Sequence, residues 1–445
     1  MDRLENGPTP SSKRVIVVGG GWAGLSCAYT LTRWGYPVTL LEAAPQFGGR
    51  ARTIHWASPG LSLDNGQHIL LGAYQSFLHL LRELGQDPDA LFQRLPLGFR
   101  IETPERHYEF KSAAHWPAPW HLLIGLLQAQ GWTLREKWRL FTAFRRIRGL
   151  NPENHRAQTA LALLKQLGQP ENLIQSFWSP LLLAALTTPL EQASAFYAIQ
   201  VWQDSFFGKR DHSDLLLPIK PLSDLLPDPI VTFLKEQDQI LLCHQRVQSL
   251  IVNDSGDTCL GVRTKDTDFF GKVVLALPER ARPFLQTGQN PIQYQPILTI
   301  YYAFEKTTTL PSPLFAVLKQ YHYWVFQKHN DIPPNVIAVV LSGFGPHTQD
   351  PKSQVIHHIQ QELQTRFPEL GACLDHKYIQ EKFAAFPSDP PHALTQAQAQ
   401  IHRLPHQTHL KQLWICGDET HPRYPSTLEG AIQSGIACAE SIRLD

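Results

Sequence analysis

The chain has 445 residues, with 40 Lys and Arg against 39 Asp and Glu, so its formal net charge at pH 7 is +1. A hydrophobic share of 43% and a charged share of 18% exclude intrinsic disorder, and the balanced charge leaves no basic excess to hold a nucleic-acid backbone. Six cysteines without a CxxC pair or zinc-ligand spacing predict reduced thiols and no metal site.

The N-terminal part predicts a β-α-β unit. Residues 14–18 are a β-branched run typical of a buried parallel strand, residues 25–33 carry a helical pattern, and residues 38–42 form a second strand that ends in Glu42. A unit of this length with an acid at the end of its second strand is typical of dinucleotide-binding folds.

A GxGxxG motif, Gly19, Gly21 and Gly24, joins the first strand to its helix. The first glycine permits a tight turn, the second lets the backbone approach a pyrophosphate, and the third lets helix and strand pack closely. Glu42 is placed to accept hydrogen bonds from a ribose diol. The motif therefore predicts a dinucleotide site; the alternative is a glycine-rich turn beside a solvated acid.

Two more glycines and an arginine follow Glu42, and Gly49 and Arg50 in this stretch suit a second approach to the cofactor. Further helices are predicted at 73–84, 132–149, 157–168, 172–186, 352–366 and 427–442. Further strands are predicted at 243–252, 260–263, 273–277, 297–304, 335–342 and 413–416.

Near the C-terminus, Gly417 and Asp418 follow a predicted strand, and the next helix begins around Thr427 and Leu428. A carboxylate at a strand end can hold a ribityl chain, and a helix start can direct its positive dipole at the N1/O2 edge of a flavin. Ser426 and Glu429 also fit a capping box, which predicts that Glu429 closes its own helix.

Together these motifs resemble the FAD-dependent amine oxidase and phytoene desaturase superfamily, over the first 85 and the last 40 residues. The resemblance implies an α/β fold, in which a Rossmann-type FAD-binding domain of the GR2-like kind is interleaved with an α+β substrate-binding domain. We assign residues 1–100, 205–290 and 405–445 to the first domain, and residues 101–204 and 291–404 to the second.

Four widely spaced stretches, at 63–74, 178–189, 214–218 and 424–430, resemble the squalene-associated FAD-dependent desaturases, the family of hydroxysqualene dehydroxylases. This resemblance implies reduction of hydroxysqualene to squalene by reduced FAD in squalene and hopanoid biosynthesis, and a hydrophobic C30 isoprenoid as substrate. It also implies that the main chain at Val247 meets the adenine. The chain departs from the family where Glu419 stands in place of an expected aromatic residue.

Loss of an allylic hydroxyl needs an acid, and Asp64 and His68 are the candidates from the sequence. The alternative is that Asp64 begins an Asx-type turn and His68 is an ordinary interior histidine. Trp178, Phe206, Phe207, Tyr301 and Tyr302 are candidates for aromatic walls that shelter a cation, or are core residues.

None of the six cysteines lies in residues 424–427, so we expect non-covalent FAD. No second GxGxxG is present, and the external electron donor stays unidentified. A polyprenoid or carotenoid desaturase or an amine-type oxidase remains an alternative. A second alternative is a non-enzymatic prenyl-binding carrier of the same fold, although the intact dinucleotide motifs argue against it.

Residues 113–127 combine Trp, Pro and His with an apolar run, and a helix rich in Arg follows. Such a segment is typical of one-sided membrane contact; the alternative is a buried helix under a proline-rich loop. The polar N-terminus and the lack of a long apolar run predict a cytoplasmic protein that contacts the inner face of the membrane.

Overall fold

The computed structural model describes residues 13–58, 60–282, 285, 292–327, 332–390 and 408–444. Its β-strands, in chain order, are β1 Val15–Val18, β2 Val38–Leu41, β3 Thr53–Trp56, β4 Leu61–Asp64, β5 Leu70–Leu71, β6 Phe92–Leu95, β7 Gly98–Glu102, β8 His107–Lys111, β9 Leu215–Pro218, β10 Ile240–Leu242, β11 Ser249–Val252, β12 Cys259–Arg263, β13 Asp268–Phe270, β14 Lys272–Leu275, β15 Gln295–Phe304, β16 Phe315–Leu318, β17 His322–Gln327, β18 Val336–Ser342, β19 Cys373–Ala385 and β20 Leu413–Ile415.

Its α-helices are α1 Trp22–Arg33, α2 Gln75–Glu83, α3 Pro88–Leu91, α4 Trp120–Gln128, α5 Leu134–Arg148, α6 Ala160–Gln166, α7 Glu171–Leu173, α8 Ser179–Leu186, α9 Ala195–Phe206, α10 Leu222–Leu225, α11 Pro227–Glu236, α12 Pro346–Gln349, α13 Lys352–Arg366 and α14 Leu428–Leu444. A π-helical turn, Ile174–Trp178, joins α7 to α8. No described helix combines the length and apolarity needed to cross a bilayer.

A five-stranded parallel sheet, in the order β10-β2-β1-β14-β20, forms the nucleotide-binding core. All four residues of β1 and of β2 are buried, as the β-branched and aliphatic runs predict for strands covered on both faces. One face packs against α1, α11 and α14. The predicted Rossmann-type α/β fold is therefore confirmed.

The second large unit is a seven-stranded mixed sheet, in the order β19-β15-β18-β17-β16-β7-β8. One face, which carries Tyr301, packs on a mainly helical cluster that includes α5, α8 and α9. The other face, which carries Tyr302, is covered by α13. Because successive residues of a strand point to opposite faces, Tyr301 and Tyr302 cannot both line one wall, and Tyr302 packs in the apolar cluster under α13.

The sequence patterns located the strands and helices of the N-terminal unit and several later helices to within a few residues, but missed α9, α11 and several strands of this large sheet. Of the strand predicted at 243–252, only the last four residues form a strand, β11, which begins at Ser249. The preceding strand, β10, ends at Leu242. The sequence patterns did not predict β19 because it is an edge strand with many partly exposed polar residues, and its sequence therefore lacks an apolar run. The chain segments assigned to the two domains stay a prediction.

The two ends of the chain meet where α14 packs on α1. A β-carbon at Gly435 of α14 would overlap the carbonyl oxygen of Ala23 in α1. The two helices therefore approach so closely because one contact residue has no side chain. This contact fixes the C-terminal helix against the helix of the glycine motif.

We predict that Gly435→Ala lowers the free energy of unfolding by about 1–3 kcal/mol, because the added methyl group pushes α14 away from α1. Gly149→Ala is the matched control: Gly149 has φ −95°, and its nearest neighbour to an added β-carbon would be 3.7 Å away. Thermal unfolding measures both variants. Equal melting temperatures for the two would contradict the packing argument.

Candidate functional site

The glycine motif forms a turn between β1 and α1 in which each glycine has a different surrounding. Gly19 adopts φ +106°, and a β-carbon there would overlap the carbonyl oxygen of Ala276. A β-carbon at Gly24 would overlap the carbonyl oxygen of Gly19. At Gly21 it would meet nothing nearer than the α-carbon of Gly49, at 3.8 Å. Gly21 thus borders open space in front of α1.

The first turn of α1 can receive an anion. Its N-cap is Gly21, which supplies no side-chain hydrogen bond, and the first turn contains no acidic residue. The amide N–H groups and the positive end of the helix dipole therefore point toward that open space. This cradle suits the negative charge of a pyrophosphate.

The loop at 48–50 lies beside this turn. Gly48 forms a parallel bridge with Gly21, and its N–H donates to the carbonyl oxygen of Gly20 (2.8 Å). A β-carbon at Gly49 would lie 2.9 Å from the α-carbon of Gly21. The structure therefore brings together the two glycine segments that the sequence analysis assigned to one cofactor.

Glu42 lies at the end of β2, next to the same turn. Its carboxylate accepts hydrogen bonds from the N–H groups of Gly20 (2.7 Å) and Ala44 (2.8 Å). The carbonyl oxygen of Glu42 accepts from the N–H of Gln245 (2.8 Å), which brings the segment of Val247 alongside. The ribose and adenine roles predicted for Glu42 and Val247 are compatible with these positions and stay predictions.

Arg50 connects three parts of the chain. Its guanidinium forms an ion pair with Asp418 and donates to the carbonyl oxygen of Ala384 (2.8 Å) at the end of β19. Asp418 also accepts a hydrogen bond from Ser426, just before α14. Gly417, at φ +156°, begins this loop. Three segments thus lie together, as one long cofactor requires: the loop at 48–50, the Gly417–Asp418 loop and the start of α14 at Thr427 and Leu428.

Glu419 turns away from this group into the interior. It is buried, forms an ion pair with the fully buried Arg282, and accepts a hydrogen bond from the hydroxyl of Tyr294 (2.9 Å). The unusual residue at 419 therefore ties the C-terminal loop to the segment after β14. The departure from the family pattern was the only sequence signal for this contact, because its partners are more than 100 residues away.

The predicted capping box at the start of α14 is wrong. The carboxylate of Glu429 accepts from the N–H groups of Ser76 (2.8 Å) and Phe77 (3.0 Å), so it caps α2 and not its own helix. The hydroxyl of Ser426 is used by Asp418 and by the N–H of Phe386 (3.2 Å). Burial raises the pKa of the Glu429 carboxyl above its usual range.

Asp64 and His68, the acid candidates from the sequence, lie beside β15, Asp64 at the end of β4 and His68 in the segment that follows. The buried Asp64 accepts from the N–H of Leu222 (2.8 Å) through Oδ1, and its carbonyl oxygen accepts from the hydroxyl of Tyr301 (3.1 Å). His68 Nδ1 lies 2.8 Å from the carbonyl oxygen of Gly66. These contacts give both residues structural roles, and their catalytic role stays a prediction.

The aromatic candidates are only partly brought together. Trp178 is fully buried, its indole N–H donates to Gln169 Oε1 (3.0 Å), and its ring packs on Phe177, Phe144 and Trp202. Phe206 and Phe207 lie at the edge of the same cluster, against Phe144. Trp178 is therefore a core residue of the helical side.

The chain is similar over most of its length to known flavoproteins. A family model described as flavin containing amine oxidoreductase matches residues 22–443. A hydroxysqualene dehydroxylase of Rhodopseudomonas palustris is 27% identical over 97% of this chain and 98% of that protein. A 15-cis-phytoene desaturase of Capsicum annuum is 20% identical over 99% of this chain and 80% of that protein.

Solved structures confirm the fold. The crystal structure of an oxidoreductase from Methanosarcina mazei superposes with a TM-score of 0.70 at 14% identity, covering 97% of this chain and 100% of that one. At this identity the likeness shows the fold alone. The family match shows that the chain is a flavin-dependent oxidoreductase and that its cofactor is FAD. The cradle between β1, α1, the loop at 48–50 and α14 stays the predicted site of this cofactor.

We predict that Gly21→Ala weakens FAD binding by about tenfold or more, because a methyl group would occupy the space in front of α1, while the apoprotein keeps its melting temperature. Gly24→Ala should lower both the affinity for FAD and the melting temperature of the apoprotein, since its β-carbon would overlap the carbonyl oxygen of Gly19. Titration of apoprotein with FAD and thermal unfolding separate the two effects.

We predict that FAD is bound non-covalently. Acid precipitation should therefore leave all yellow colour in the supernatant, and a yellow pellet would contradict non-covalent binding.

Proposed function

The chain belongs to the flavin containing amine oxidoreductase family, and on this premise we propose that it reduces hydroxysqualene to squalene with loss of water. The observation that carries the proposal is the end-to-end similarity to a hydroxysqualene dehydroxylase, at 27% identity over 97% of the chain. The four family-like stretches extend this similarity to both nucleotide-binding and substrate-binding parts.

The proposed cofactor contacts are supported by the geometry described above. Bound FAD, once reduced, supplies the hydride for the reaction. The residues proposed to hold its parts are Gly19, Gly21, Gly24 and Gly49 at the pyrophosphate, Glu42 and Val247 at the adenosine, and Arg50, Gly417, Asp418, Thr427 and Leu428 at the ribityl and flavin end.

A C30 hydrocarbon chain needs an apolar chamber, and the sheet face that carries Tyr301 is lined mainly by apolar side chains. The neighbouring strand contributes Ala338 and Val340 to this face, and β17 contributes Trp324 and Phe326. Such a lining excludes water, which protects an allyl-cation-like centre from capture by solvent. The proton for the leaving oxygen comes, in the hypothesis from the sequence, from Asp64 or His68.

The second candidate function is desaturation of a polyprenoid, which the similarity to a phytoene desaturase supports. The same residues would bind FAD in either case. The two functions differ in the redox state of the flavin that begins the reaction. A reductive dehydroxylase reacts from reduced flavin, and a desaturase reacts from oxidised flavin.

We expect dithionite-reduced protein, mixed anaerobically with hydroxysqualene, to form one equivalent of squalene per flavin as the flavin absorbance near 450 nm returns. The control is oxidised protein with the same substrate, which should form nothing. If only the oxidised protein transforms a polyprenoid such as phytoene, the desaturase function replaces this one. Purified protein without any flavin band would favour the carrier.

We also propose that the protein contacts the membrane through one surface, the amphiphilic face, formed by α4 and α5. It consists of five large apolar side chains that are 53–81% exposed: Trp116, Trp120, Leu127, Leu134 and Trp138. The Lys137 ammonium donates to the carbonyl oxygen of Leu127 (2.7 Å), which fixes the two helices side by side. Isolated exposed apolar residues are ordinary, but five within 23 residues form a patch that a lipid surface would cover.

The charge around the amphiphilic face favours an anionic bilayer. Residues 111–150 contain seven Lys or Arg and one acid, Glu136, whereas the whole chain has a net charge of +1. At 3.6 residues per turn, Leu134, Trp138 and the exposed Arg145 lie on one side of α5. The opposite side, with Leu140 and Ile147, packs into the apolar cluster beside the large sheet. One helix thus separates lipid from the proposed chamber.

We predict that the full-length protein binds vesicles of phosphatidylcholine with 30% phosphatidylglycerol. The triple variant Trp116→Ser, Trp120→Ser, Trp138→Ser should bind at least about tenfold more weakly, and 1 M salt should weaken wild-type binding. The control is Leu374→Ser with Phe344→Ser, two exposed apolar residues that lie outside the amphiphilic face. Equal binding of both variants, or no wild-type binding at low salt, would contradict the proposal.

A further inference from the structure

A group of buried polar atoms without partners lies where the large sheet meets the helical side. We call it the polar junction, and it comprises Thr187, Thr188, Gln295, Ser388 and Asp389. Gln295 is 3% exposed and Ser388 is 2% exposed. Within the described part of the chain, Gln295 Oε1, Ser388 Oγ and Asp389 Oδ1 are buried and have no hydrogen-bond partner. Buried polar groups are almost always paired, so three such atoms on neighbouring segments need an explanation.

Contacts between the elements show that Thr187, Thr188, Gln295 and Ser388 lie on neighbouring segments, and Asp389 follows Ser388 directly in the chain. The N–H of Ser388 donates to Thr188 Oγ1 (3.1 Å). A β-carbon at Gly343 would lie 3.1 Å from the carbonyl oxygen of Thr187 and 3.6 Å from Gln295 Oε1, so Gly343 lies between them. Gln295 in turn pairs with Ala385, three residues before Ser388. The junction is therefore one site, built from the end of α8, the start of β15 and the end of β19.

The backbone at the junction is strained. Thr187 ends α8 in the left-handed region, with φ 55°, and it is buried. A β-branched residue rarely adopts this conformation, and strain of this kind is concentrated at functional sites. Thr187 and Thr188 close one of the four stretches that resemble the squalene-associated desaturases, and neither the FAD contacts nor the helical core explains them.

The junction adjoins the flavin end of the cofactor cradle. Two residues before Ser388, the N–H of Phe386 donates to Ser426 Oγ (3.2 Å), and Ser426 bonds to Asp418. The guanidinium of Arg50 holds the same segment through the carbonyl oxygen of Ala384 (2.8 Å). The other side of the junction continues toward the sheet face that carries Tyr301, since Gln295 begins β15, the strand to which Tyr301 belongs.

We infer that the polar junction receives the hydroxyl group of the substrate, and that Asp389 is the proton donor to the leaving oxygen. This inference rests on the proposed function. An alcohol donates one hydrogen bond and accepts two, which complements the acceptor Gln295 Oε1 and the donors Ser388 and protonated Asp389. Burial raises the pKa of Asp389 above its usual value, which favours the protonated carboxyl that an acid catalyst needs.

The step is balanced. The carboxyl proton of Asp389 moves to the hydroxyl oxygen, the carbon–oxygen bond breaks with its electron pair on oxygen, and water leaves. The carbon is reduced by the hydride of reduced FAD, the reductant of the proposed function, and solvent returns a proton to Asp389. Asp389 thus takes the role of proton donor that the sequence analysis gave to Asp64 or His68. Single-turnover rates of variants at all three residues compare these candidates.

The first test measures binding and needs no turnover. Because Ser388 Oγ has no partner among the described residues, Ser388→Ala should keep or raise the melting temperature, yet reduce the preference for hydroxysqualene over squalene, measured as the ratio of Kd values on oxidised protein, by about tenfold. Ser112→Ala is the matched control, since in the described part of the chain Ser112 Oγ is also buried without a partner, but it lies beside α4. An unchanged ratio in Ser388→Ala would overturn the inference.

The second test measures the proton. In single turnover from reduced flavin, Asp389→Asn should lower the rate constant about 100-fold with little change in the Kd of hydroxysqualene, and Asp389→Glu should recover part of the rate. An allylic fluoride in place of the alcohol needs less acid assistance and should react in Asp389→Asn at nearly the wild-type rate.

A wild-type rate in Asp389→Asn, with a loss in Asp64→Asn or His68→Ala, would overturn the assignment of the donor. The failure of the proposed function looks different: wild-type protein would prefer the alcohol in binding but form no squalene.

Discussion

The ion pair between Arg50 and Asp418 is the interaction on which the site depends. It joins residues 368 positions apart, and it brings the loop after β2 against the loop after β20. Asp418 is also held by Ser426, and Arg50 also holds the end of β19, so one guanidinium positions parts of both large sheets. Loss of either partner would leave a poorly solvated charge, which is costly, so we regard this pair as an organiser of geometry more than a source of net stability.

The same arrangement suits a polar cofactor and, in the proposed function, an oily substrate in one interior. The parallel sheet ends in backbone N–H groups, glycines and charges, which suit a dinucleotide. The large sheet presents an apolar face with the polar junction toward its end. Under the proposal, a small polar group in an apolar chamber would select a substrate by the position of its hydroxyl, because a hydrocarbon gains nothing from polar walls. The low charged share of the chain fits this proposed need for apolar lining in addition to core.

The amphiphilic face extends this arrangement to the surface. The chain is nearly neutral as a whole, and its positive charge is concentrated next to the exposed tryptophans of α4 and α5. A lipid-soluble substrate would reach the protein from the bilayer, and α5 contacts the proposed bilayer on one side and the apolar cluster on the other. Net charge by itself therefore says little about partners, because its distribution over the surface determines which partner fits.

The sequence by itself determined the β-α-β unit, the glycine motif, Glu42 and the Gly417–Asp418 loop. These depend on local spacing and on β-branched runs, which the chain expresses within some 30 residues. It also identified most helices and several strands, but missed the polar edge strand β19. Only the tertiary structure decided that Glu429 caps α2, that Glu419 meets Arg282, that Tyr301 and Tyr302 face apart, and that Gln295 pairs with Ala385, three residues before Ser388. Each of these depends on contacts between distant segments, and the energy of a buried polar group depends on neighbours that no local pattern specifies.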